Sequence, residues 1–219
     1  MVKQKISAAP SVRRLPSYLH TVRQLQKEAG EYISGTLIAD ALNLEPIQVR
    51  KDLAITGIIG KPKKGYPVEA LINAIEGFLG WDTLRDAVLV GVGNLGMALM
   101  GYEEFRYHGL RLIAAFDRNP KKIGLRIHGV PVLSIDTADI QIRSFGVKTA
   151  ILTVPGPFAQ ETADALTKAG IEGIWNFTNV KLKVPDTVAV QKEDLSSGYA
   201  MLCVKMQAKR LEENGFKPR

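Results

Sequence analysis

The amino-acid sequence predicts a mixed α/β protein in which a helical first part is followed by a parallel sheet and a last helix. Three observations support this prediction. Residues 15–78 repeat apolar side chains at three- and four-residue intervals, as amphipathic helices do. Residues 86–176 contain several short apolar runs, which are typical of strands buried on both faces of a parallel sheet. Residues 196–213 again carry apolar side chains at helical spacing.

The composition fits a globular protein of two modest domains. The chain has 219 residues, of which 46% are hydrophobic and 23% are charged, and this balance excludes disordered and collagen-like chains. A single cysteine excludes an intrachain disulfide framework and favours a reducing, cytoplasmic compartment. The apolar stretches are too short for a membrane span, so no membrane partner is expected. The net charge of +7 favours an anionic partner.

The first part of the chain predicts a helix-turn-helix. An amphipathic helix carries apolar side chains from Leu15 to Leu25 and ends at Gly30. Ser34 or Thr36 is expected to cap a second helix. A short turn separates it from a third helix, which runs from Pro46 to about Thr56 with proline in its first position. Two helices joined by so short a turn form the helix-turn-helix arrangement.

The third helix separates apolar from polar side chains when its residues are placed about 100° apart. Val49 and Leu53 fall on one face and are expected to pack inward. Gln48 and Lys51 fall on the opposite face, with Arg50 beside them. Gln and Lys are side chains that read base edges or bind phosphates in the major groove of DNA, so this helix is predicted to be a recognition helix.

Residues 58–66 predict a ribbon whose basic tip is bounded by glycine and proline. Residues 46–66 hold five cations against one acidic residue, Asp52, so the segment forms a poorly compensated positive surface. Together these features predict a winged-helix DNA-binding domain, and a helical dimerisation or protein-binding module is the alternative. The residues predicted to contact DNA are Arg13, Arg14, Gln48, Arg50, Lys51, Lys61, Lys63, Lys64 and Tyr66.

The second part opens with the signature of a Rossmann-type dinucleotide-binding fold. An apolar strand leads into Gly91-x-Gly93-x-x-Gly96, and a second apolar strand ends in Asp117, 21 residues after the last glycine. In this pattern Gly91 permits the tight turn, Gly93 lets the backbone approach a pyrophosphate, and Gly96 lets helix and strand pack closely. Asp117 is expected to accept hydrogen bonds from ribose hydroxyls and to favour NAD(H) over NADP(H). The neighbouring Arg118 can serve a 2′-phosphate and tempers that preference.

Further strands are predicted at residues 149–154 and 173–176, with a helix at residues 158–169 between them. Ligands of such sheets bind at the carboxyl ends of the strands, so these ends are expected to surround the nicotinamide half of the ligand. The residues concerned are Thr153, Val154, Pro155, Asn176 and Phe177.

The domain boundaries follow from these patterns. A DNA-binding domain is expected at residues 1–82 and a Rossmann nucleotide-binding domain at residues 83–195. Residues 196–219 are expected to form a dimerisation helix and a tail, because a terminal helix after a complete sheet often packs on a second subunit.

Catalytic groups are not evident beside the expected nicotinamide. The histidines, His20, His108 and His128, do not follow a predicted strand end, and Cys203 lies in the last helix. The nucleotide is therefore expected to act as a signal, with no enzymatic activity and no metal site. Two alternatives stay open: a small NAD-dependent oxidoreductase with a basic accessory domain, and a Rossmann module for another adenine nucleotide such as coenzyme A.

Five strings carry a resemblance that covers nearly the whole chain. These are residues 48–53 (QVRKDL), 60–66, 91–96 (GVGNLG), 154–160 and 173–177, and they resemble the Rex family of bacterial redox-sensing transcriptional repressors. The resemblance implies a homodimer whose terminal helices are swapped between subunits. It also implies binding to a palindromic DNA operator when NADH is low, and release when NADH rises.

The resemblance further implies roles for single residues. It places Gln48, Arg50 and Lys51 in the recognition helix and the lysines of residues 61–64 in the wing, and it places Tyr102 near the nicotinamide pocket and the subunit interface, together with the Phe177 named above. The residues predicted to bind NADH or NAD+ are Gly91, Val92, Gly93, Asn94, Leu95, Gly96, Tyr102, Asp117, Arg118, Thr153, Val154, Pro155, Asn176 and Phe177.

Overall fold

A computed structural model of the chain describes residues 9–213 and divides them into two compact units. The first unit contains the described residues up to Leu84 together with Arg106–Gly109. The second contains Arg85–Phe105 and the described residues from Leu110 onward. The ends of the expected first and last domains, residues 1–8 and 214–219, lie outside the described residues.

The first unit is helical apart from one short pair of strands. Its elements are α1 (Ala9–Ala29), β1 (Tyr32–Ile33), α2 (Gly35–Leu42), α3 (Pro46–Ala54), β2 (Tyr66–Pro67) and α4 (Val68–Leu79). Strands β1 and β2 pair antiparallel. The ribbon predicted within residues 58–66 contains a single bridge, between Lys61 and Gly65. The pairing of its far end with β1 was not predicted, because two residues are too few to show an alternation.

The helix ends follow local backbone chemistry. Ser34, and not Thr36, caps α2, because its hydroxyl accepts a hydrogen bond from the backbone N–H of Leu37 at 3.0 Å. The same helix ends where Asn43 adopts a left-handed conformation with φ of 52°. Pro46 occupies the start of α3 as predicted, and α3 ends at Ala54, somewhat earlier than expected.

The core of the first unit is assembled from one face of each helix. Val49 and Leu53 of α3 are fully buried, as the periodicity predicted. They belong to one apolar cluster with Leu15, Tyr18, Leu19, Val22, Ile33, Ile38, Leu71 and Ile75. Asp52 is fully buried beside them, although it is an acidic residue. Such a carboxylate must be satisfied by hydrogen bonds, because an unpaired buried charge is strongly destabilising.

The rest of the chain is built around a seven-stranded sheet. Its elements are β3 (Arg85–Val90), α5 (Asn94–Met100), α6 (Glu104–Tyr107), β4 (Leu110–Asp117), β5 (Arg126–Ile127), β6 (Val130–Ser134), α7 (Ala138–Phe145), β7 (Thr149–Leu152), α8 (Gly156–Ala169), β8 (Gly173–Asn176), β9 (Ala189–Lys192) and α9 (Leu195–Glu213). The strand order is β5-β6-β4-β3-β7-β8-β9. The pairs within β6-β4-β3-β7-β8-β9 are parallel, and β5 is antiparallel to β6.

This order confirms the predicted Rossmann-type sheet. From β3 the chain proceeds to β4 and β6 on one side and to β7, β8 and β9 on the other. The carboxyl ends of β3 and β7 therefore mark the switch point at which ligands of such sheets bind. Helix α5 begins at Asn94, directly after Gly93.

Apolar side chains cover both faces of the sheet. Val88 and Val90 belong to the cluster that includes α7 and α8. Leu89, between them, belongs to a second cluster with Phe105 and Trp175. Because alternate residues of β3 enter opposite cores, the strand sequence is continuously apolar, which is the pattern from which a parallel sheet was predicted.

Helix α9 keeps most of its large apolar side chains on the surface of the single chain. These are Leu195, Tyr199, Met201, Leu202, Val204, Met206 and Leu211. An exposed apolar surface of this kind is typical of a helix that packs against another protein surface. Within residues 9–213, no helix is long and apolar enough to cross a membrane.

Gly65 and Gly57 offer a matched test of the contact between the wing and β1. Both have positive φ, 96° and 81°. A Cβ on Gly65 would lie 2.3 Å from the carbonyl oxygen of Ile33, whereas a Cβ on Gly57 would meet nothing within 4 Å. We expect Gly65→Ala to lower the free energy of unfolding of the first unit by ~3 kcal/mol and Gly57→Ala by only ~1 kcal/mol.

Urea denaturation measures both variants through the fluorescence of Trp81, which packs on the first core. Trp175 is replaced by Phe in every sample, so that the signal reports the first unit alone. Equal losses for the two glycines would show that the approach of the wing to β1 does not constrain this unit.

Candidate functional site

A cleft of about 1000 Å³ lies at the carboxyl ends of β3, β4 and β7. Seven residues that the sequence predicted as nucleotide-binding line it, namely Gly91, Gly93, Asp117, Arg118, Thr153, Val154 and Pro155. Apolar side chains of α7 and α8, including Ile142, Phe158 and Leu166, complete its wall. A cleft of this size, mainly apolar with a few polar groups, suits a nucleotide ligand.

The three glycines of the motif meet different constraints. Gly91 has φ of 100°, and a Cβ there would lie 2.8 Å from the backbone carbon of Thr153. A Cβ on Gly96 would lie 2.1 Å from the carbonyl oxygen of Gly91. Gly93, in contrast, would meet nothing within 4 Å and lines the cleft. Two glycines are therefore required by packing of the protein itself, and Gly93 keeps the space above the turn open.

Asp117 is held rigidly at the end of β4. Its Oδ2 accepts a hydrogen bond from the backbone N–H of Val92 at 2.7 Å, and its Oδ1 accepts one from the N–H of Asn119 at 2.8 Å. The carboxylate is thus tied to the glycine-rich turn. Each oxygen keeps a further lone pair for a hydroxyl of a ligand.

Two cations line the same cleft. The guanidinium of Arg118 lies over the ring of Phe158, 3.6 Å from its centroid, a cation–π contact. The ammonium of Lys122 donates a hydrogen bond to the carbonyl oxygen of Val92. Sequence reasoning missed Lys122, because nothing in the pattern distinguishes it from the neighbouring Lys121; only the fold of the turn brings it to the cleft.

Asn176 does not line the cleft, although the sequence predicted it as a nucleotide-binding residue. Its side chain is fully buried and donates to the carbonyl oxygen of Val180 at 2.9 Å. Its Oδ1 accepts hydrogen bonds from both the N–H and the hydroxyl of Thr178. The amide therefore stabilises the turn after β8 and is not available to a ligand.

Tyr102 and Phe177 also lie outside the residues that line the cleft. They end a row of aromatic rings in which the centroid distances are 4.9 Å from Tyr102 to Phe105, 5.5 Å from Phe105 to Trp175, and 5.1 Å from Trp175 to Phe177. This row belongs to the core on the opposite face of the sheet from α7 and α8. Tyr102, at its end, is half exposed.

The other predicted motif residues shape the turn. Val92 is fully buried and packs in the sheet core, while Asn94 is exposed and Leu95 is half-buried. The side chain of Thr153 donates a hydrogen bond to the carbonyl oxygen of Gly91 at 2.7 Å. These residues position the turn, whereas the surface that faces the cleft comes from its glycines.

A second candidate site lies in the first unit, on α3 and the wing. Most of the cations predicted to contact DNA are exposed: Arg50, Lys51, Lys61, Lys63 and Lys64 at this site, and Arg13 on α1. Tyr66 is buried, because its ring packs against Gly60 at the base of the wing, so its side chain is part of the core and not of the exposed surface. Gln48 is half-buried.

The buried carboxylate of Asp52 accepts hydrogen bonds from four side chains. Arg14 donates twice, from Nε at 2.6 Å and from a terminal nitrogen at 2.9 Å. Tyr18, Ser11 and Gln48 donate at 2.5, 2.7 and 2.8 Å. Arg14, which the sequence predicted as a DNA contact, therefore also ties α1 to α3.

The hydrogen bonds around Asp52 shift the pKa values of the groups that form them. Burial raises the pKa of Asp52, but the hydrogen bonds from Arg14, Tyr18, Ser11 and Gln48 outweigh burial and hold it well below its usual range. Burial and the contact with Asp52 raise the pKa of Tyr18 to about 12. The hydrogen bond to Asp52 also raises the pKa of Arg14. Asp52 is thus an ionised acceptor, and the groups around it are donors.

The wing is anchored by Tyr32 of β1. The ammonium of Lys61 donates to the hydroxyl of Tyr32 at 2.6 Å, and the ammonium groups of Lys61 and Lys64 lie 5.1 and 5.4 Å from the centroid of its ring. The hydrogen bond to Tyr32 raises the pKa of Lys61, so this lysine keeps its charge. Lys63, at the tip, has φ of 62°. The tip therefore presents a compact group of cations.

Two families of known proteins match separate parts of the chain. Residues 5–54 match the family described as putative DNA-binding protein N-terminus, and residues 82–180 match the family described as CoA binding domain. A redox-sensing transcriptional repressor Rex from Treponema denticola is 60% identical over 210 residues, which cover 96% of this chain and 100% of that protein. This chain belongs to the Rex family. A Rex repressor from Bacteroides fragilis is 36% identical, over 93% of this chain and 92% of its own.

Solved Rex-family structures share the fold over nearly the whole chain. RSP in complex with beta-NAD+ and operator DNA superposes with a TM-score of 0.86 at 34% identity, over 96% of this chain and 97% of that chain. RSP in complex with beta-NADH superposes with a TM-score of 0.84 at 33% identity, over 96% and 99% of the two chains. The predicted fold class, a DNA-binding first part followed by a Rossmann-type sheet, is confirmed.

Loss of the buried carboxylate should destabilise the first unit far more than loss of an exposed one. We expect Asp52→Asn to lower the free energy of unfolding by about 3–5 kcal/mol at pH 7, because it leaves Arg14 with an incomplete partner. Glu76→Gln breaks the more exposed ion pair with Arg23 in the same unit and should cost less than about 1 kcal/mol. The Trp81 fluorescence assay compares the two variants.

The same variant should change the response to acid. The folded-state pKa of Asp52 lies below its ordinary value of 3.8, so the unfolded chain takes up this proton first as the pH falls. The stabilisation by Asp52 is therefore complete above about pH 5 and declines below about pH 4. Asp52→Asn should lack this part of the decline, and an unchanged acid profile would show that the carboxylate is not stabilised in the folded chain.

Proposed function

We propose that this chain is an NADH/NAD+-responsive transcriptional repressor, which binds a palindromic DNA operator as a homodimer and is released by NADH. One observation carries the proposal: a basic recognition helix and wing occur in the same chain as a nucleotide cleft built on a glycine motif. The relative from Treponema denticola is named a redox-sensing repressor. RSP binds beta-NAD+ together with operator DNA, and it also binds beta-NADH.

The proposed ligand lies in the cleft with its pyrophosphate beside Gly93, where no side chain fills the space. Asp117 accepts hydrogen bonds from the hydroxyls of the adenosine ribose, since both of its oxygens are already aimed by backbone N–H groups. Lys122, next to the same turn, offers a cation to the phosphates. The ligand thus acts through residues of the second unit alone.

Coenzyme A is the competing ligand, because the family matched by residues 82–180 is described as a CoA binding domain. Coenzyme A carries an additional phosphate on the 3′-oxygen of its adenosine ribose, whereas NAD(H) leaves the 2′- and 3′-hydroxyls of that ribose free. Asp117, Asp136 and Asp139 all line the cleft, so that phosphate would meet several carboxylates. Their charge supports NAD(H) over coenzyme A and over NADP(H).

The ligand is proposed to be a signal and not a reagent, so the chain is not an enzyme. Among the described residues, those that line the cleft include carboxylates and Lys122 but no histidine, the side chain that most often exchanges a proton with a substrate. The relatives are named transcriptional repressors, which supports the same conclusion. A function on DNA also favours a cytoplasmic location.

The domain roles follow from this function. Residues 1–82 bind DNA, with the exposed cations of α3 and the wing as the contacts, and residues 83–195 bind the nucleotide. Residues 196–219 mediate dimerisation, which is supported by the exposed apolar side chains of α9. NADH releases DNA by preferring the dimer conformation that does not match the operator, and a preference of ~100-fold corresponds to about 2.7 kcal/mol.

A substitution of Gly93 is expected to weaken ligand binding without affecting folding. Gly93→Ala should leave the free energy of unfolding within about 0.5 kcal/mol of the wild type, because its Cβ would meet no protein atom within 4 Å. The methyl group would enter the space proposed for the pyrophosphate, so the affinity for NADH should fall at least about tenfold. Isothermal titration calorimetry with NADH measures the loss, and Gly77→Ala, an equally open glycine in the first unit, is the control. Unchanged NADH affinity in Gly93→Ala would place the pyrophosphate elsewhere.

The function itself is tested with a labelled DNA fragment from upstream of the gene for this chain. We expect fluorescence anisotropy to show binding by the full chain, and titration with NADH to release the DNA at concentrations at which NAD+ has little effect. Fixed salt is essential, because phosphate contacts make the affinity strongly salt-dependent. Binding that responds equally to both nucleotides would refute the redox response, and turnover of a hydroxy acid or aldehyde with NAD+ would favour an oxidoreductase.

A further inference from the structure

Gln48 and Asp52 lie one turn apart on the proposed recognition helix and are joined by a hydrogen bond. The side-chain Nε2 of Gln48 donates to Oδ1 of Asp52 at 2.8 Å. Asp52 is fully buried, and Gln48 is half-buried between it and the surface. A side chain suited to read a base edge is therefore tied to a group inside the protein.

The chemistry of Asp52 determines which end of the Gln48 amide points inward. Arg14, Tyr18 and Ser11 all donate hydrogen bonds to this carboxylate. An ionised carboxylate accepts hydrogen bonds and cannot donate, so it can face only the nitrogen of the Gln48 amide. The carbonyl oxygen Oε1 of Gln48 must point the other way, and no described residue donates a hydrogen bond to it.

We propose that Asp52 fixes the amide of Gln48 so that the recognition helix selects a base with an amino group on its major-groove edge, adenine or cytosine, and rejects guanine. The inference rests on the proposed binding to operator DNA. Gln48 is the residue that reads the base, and Asp52 is a positioning residue that acts through it.

The selectivity follows from the pattern of groups in the major groove. Adenine presents the N6 amino donor and the N7 acceptor, cytosine presents the N4 amino donor, and guanine presents only the acceptors N7 and O6. A freely rotating glutamine can turn its amide by 180° and offer its nitrogen to guanine. With the nitrogen held by Asp52, the same turn would bring two oxygen acceptors together at Asp52 and would remove one of the hydrogen bonds that the buried carboxylate accepts.

The remaining N–H of the Gln48 amide adds a second contact for one of the two bases. With Oε1 accepting from N6 of adenine, this N–H can donate to N7 in the bidentate arrangement that glutamine forms with adenine. Cytosine can satisfy only the first contact. With guanine this N–H can also donate to N7, but Oε1 would then face the acceptor O6, and two acceptors repel each other. Adenine is therefore expected to be preferred over cytosine, and both over guanine.

The first experiment locates the base that Gln48 reads. Duplexes are selected with the full wild-type chain from a library randomised across two half-sites, and the affinity of each single-base change is measured by fluorescence anisotropy. The same set is measured with Gln48→Ala. We expect this variant to lose discrimination at one position of each half-site, and that position to hold adenine or cytosine.

The second experiment removes the amino group and leaves the protein unchanged. At that position adenine is replaced by hypoxanthine, or cytosine by uracil, each of which carries an oxygen in place of the amino group. The wild type should bind the modified duplex about tenfold more weakly or worse, and Gln48→Ala should bind both duplexes equally. Lys51→Ala, on the same helix, should weaken binding to all duplexes by a similar factor, as loss of a phosphate contact does.

Asp52→Asn tests the positioning role. An asparagine presents an N–H as well as an oxygen, so the Gln48 amide is no longer held in one orientation, and we expect the preference against guanine at that position to shrink about tenfold. Preserved folding is checked by circular dichroism. If this variant does not fold, the comparison of base analogues with the wild type and Gln48→Ala decides the question by itself.

The outcomes separate the inference from the proposed function. Selection of guanine at the position that depends on Gln48, or equal discrimination by the wild type and Gln48→Ala at every position, would overturn the inference while operator binding stands. Failure of the wild-type chain to select any duplex would overturn operator binding and the inference with it.

Discussion

The placement of α3, the proposed recognition helix, depends on one buried carboxylate. Asp52 is fully buried on α3, and its two oxygens accept hydrogen bonds from Arg14 and Tyr18 of α1 and from Gln48 of its own helix. Apolar burial is not directional, so it selects one rotation of α3 less sharply than hydrogen bonds do. Charge-assisted hydrogen bonds are directional, and leaving any of them unmade in the core costs several kcal/mol. These hydrogen bonds therefore fix the rotation of α3, and with it the direction in which the exposed cations of α3 point.

The nucleotide cleft is also held by close contacts inside the protein. There the contacts are made by backbone atoms, whereas in the first unit they are made by side chains. Gly91 and Gly96 approach backbone atoms so closely that a Cβ on either would overlap them. The carboxylate of Asp117 and the hydroxyl of Thr153 then hold the turn from two sides, through the Val92 N–H and the Gly91 carbonyl. The polar groups that shape the cleft are thus already paired. Because these groups are already ordered, the cleft loses little conformational entropy when a ligand binds.

Periodicity and motif spacing predicted most of the fold. The apolar faces of α1 and α3, the strand before the glycine motif, and Asp117 at the end of the next strand are all properties of neighbouring residues, and the structure confirms them. Contacts between distant segments were beyond this reasoning. The bond of Arg14 to Asp52 spans 38 residues, and the place of Lys122 at the turn depends on how the chain folds after β4. The position of Asn176 at a strand end led to its prediction as a nucleotide-binding residue. That position does not show that its side chain forms hydrogen bonds within the following turn.

The two candidate sites share no side chain, so a ligand at one can influence the other only by changing an equilibrium of the whole molecule. In the proposed dimer this requirement is met by symmetry. Two recognition helices bind two half-sites separated by a whole number of turns of DNA, and each half-site contact alone is weak. When one conformation of the dimer matches that spacing and the other does not, the second contact is lost altogether and the advantage of bivalent binding is lost with it. A small preference of NADH for the mismatched conformation is thereby converted into a large change in operator occupancy, without any contact between the nucleotide and the DNA.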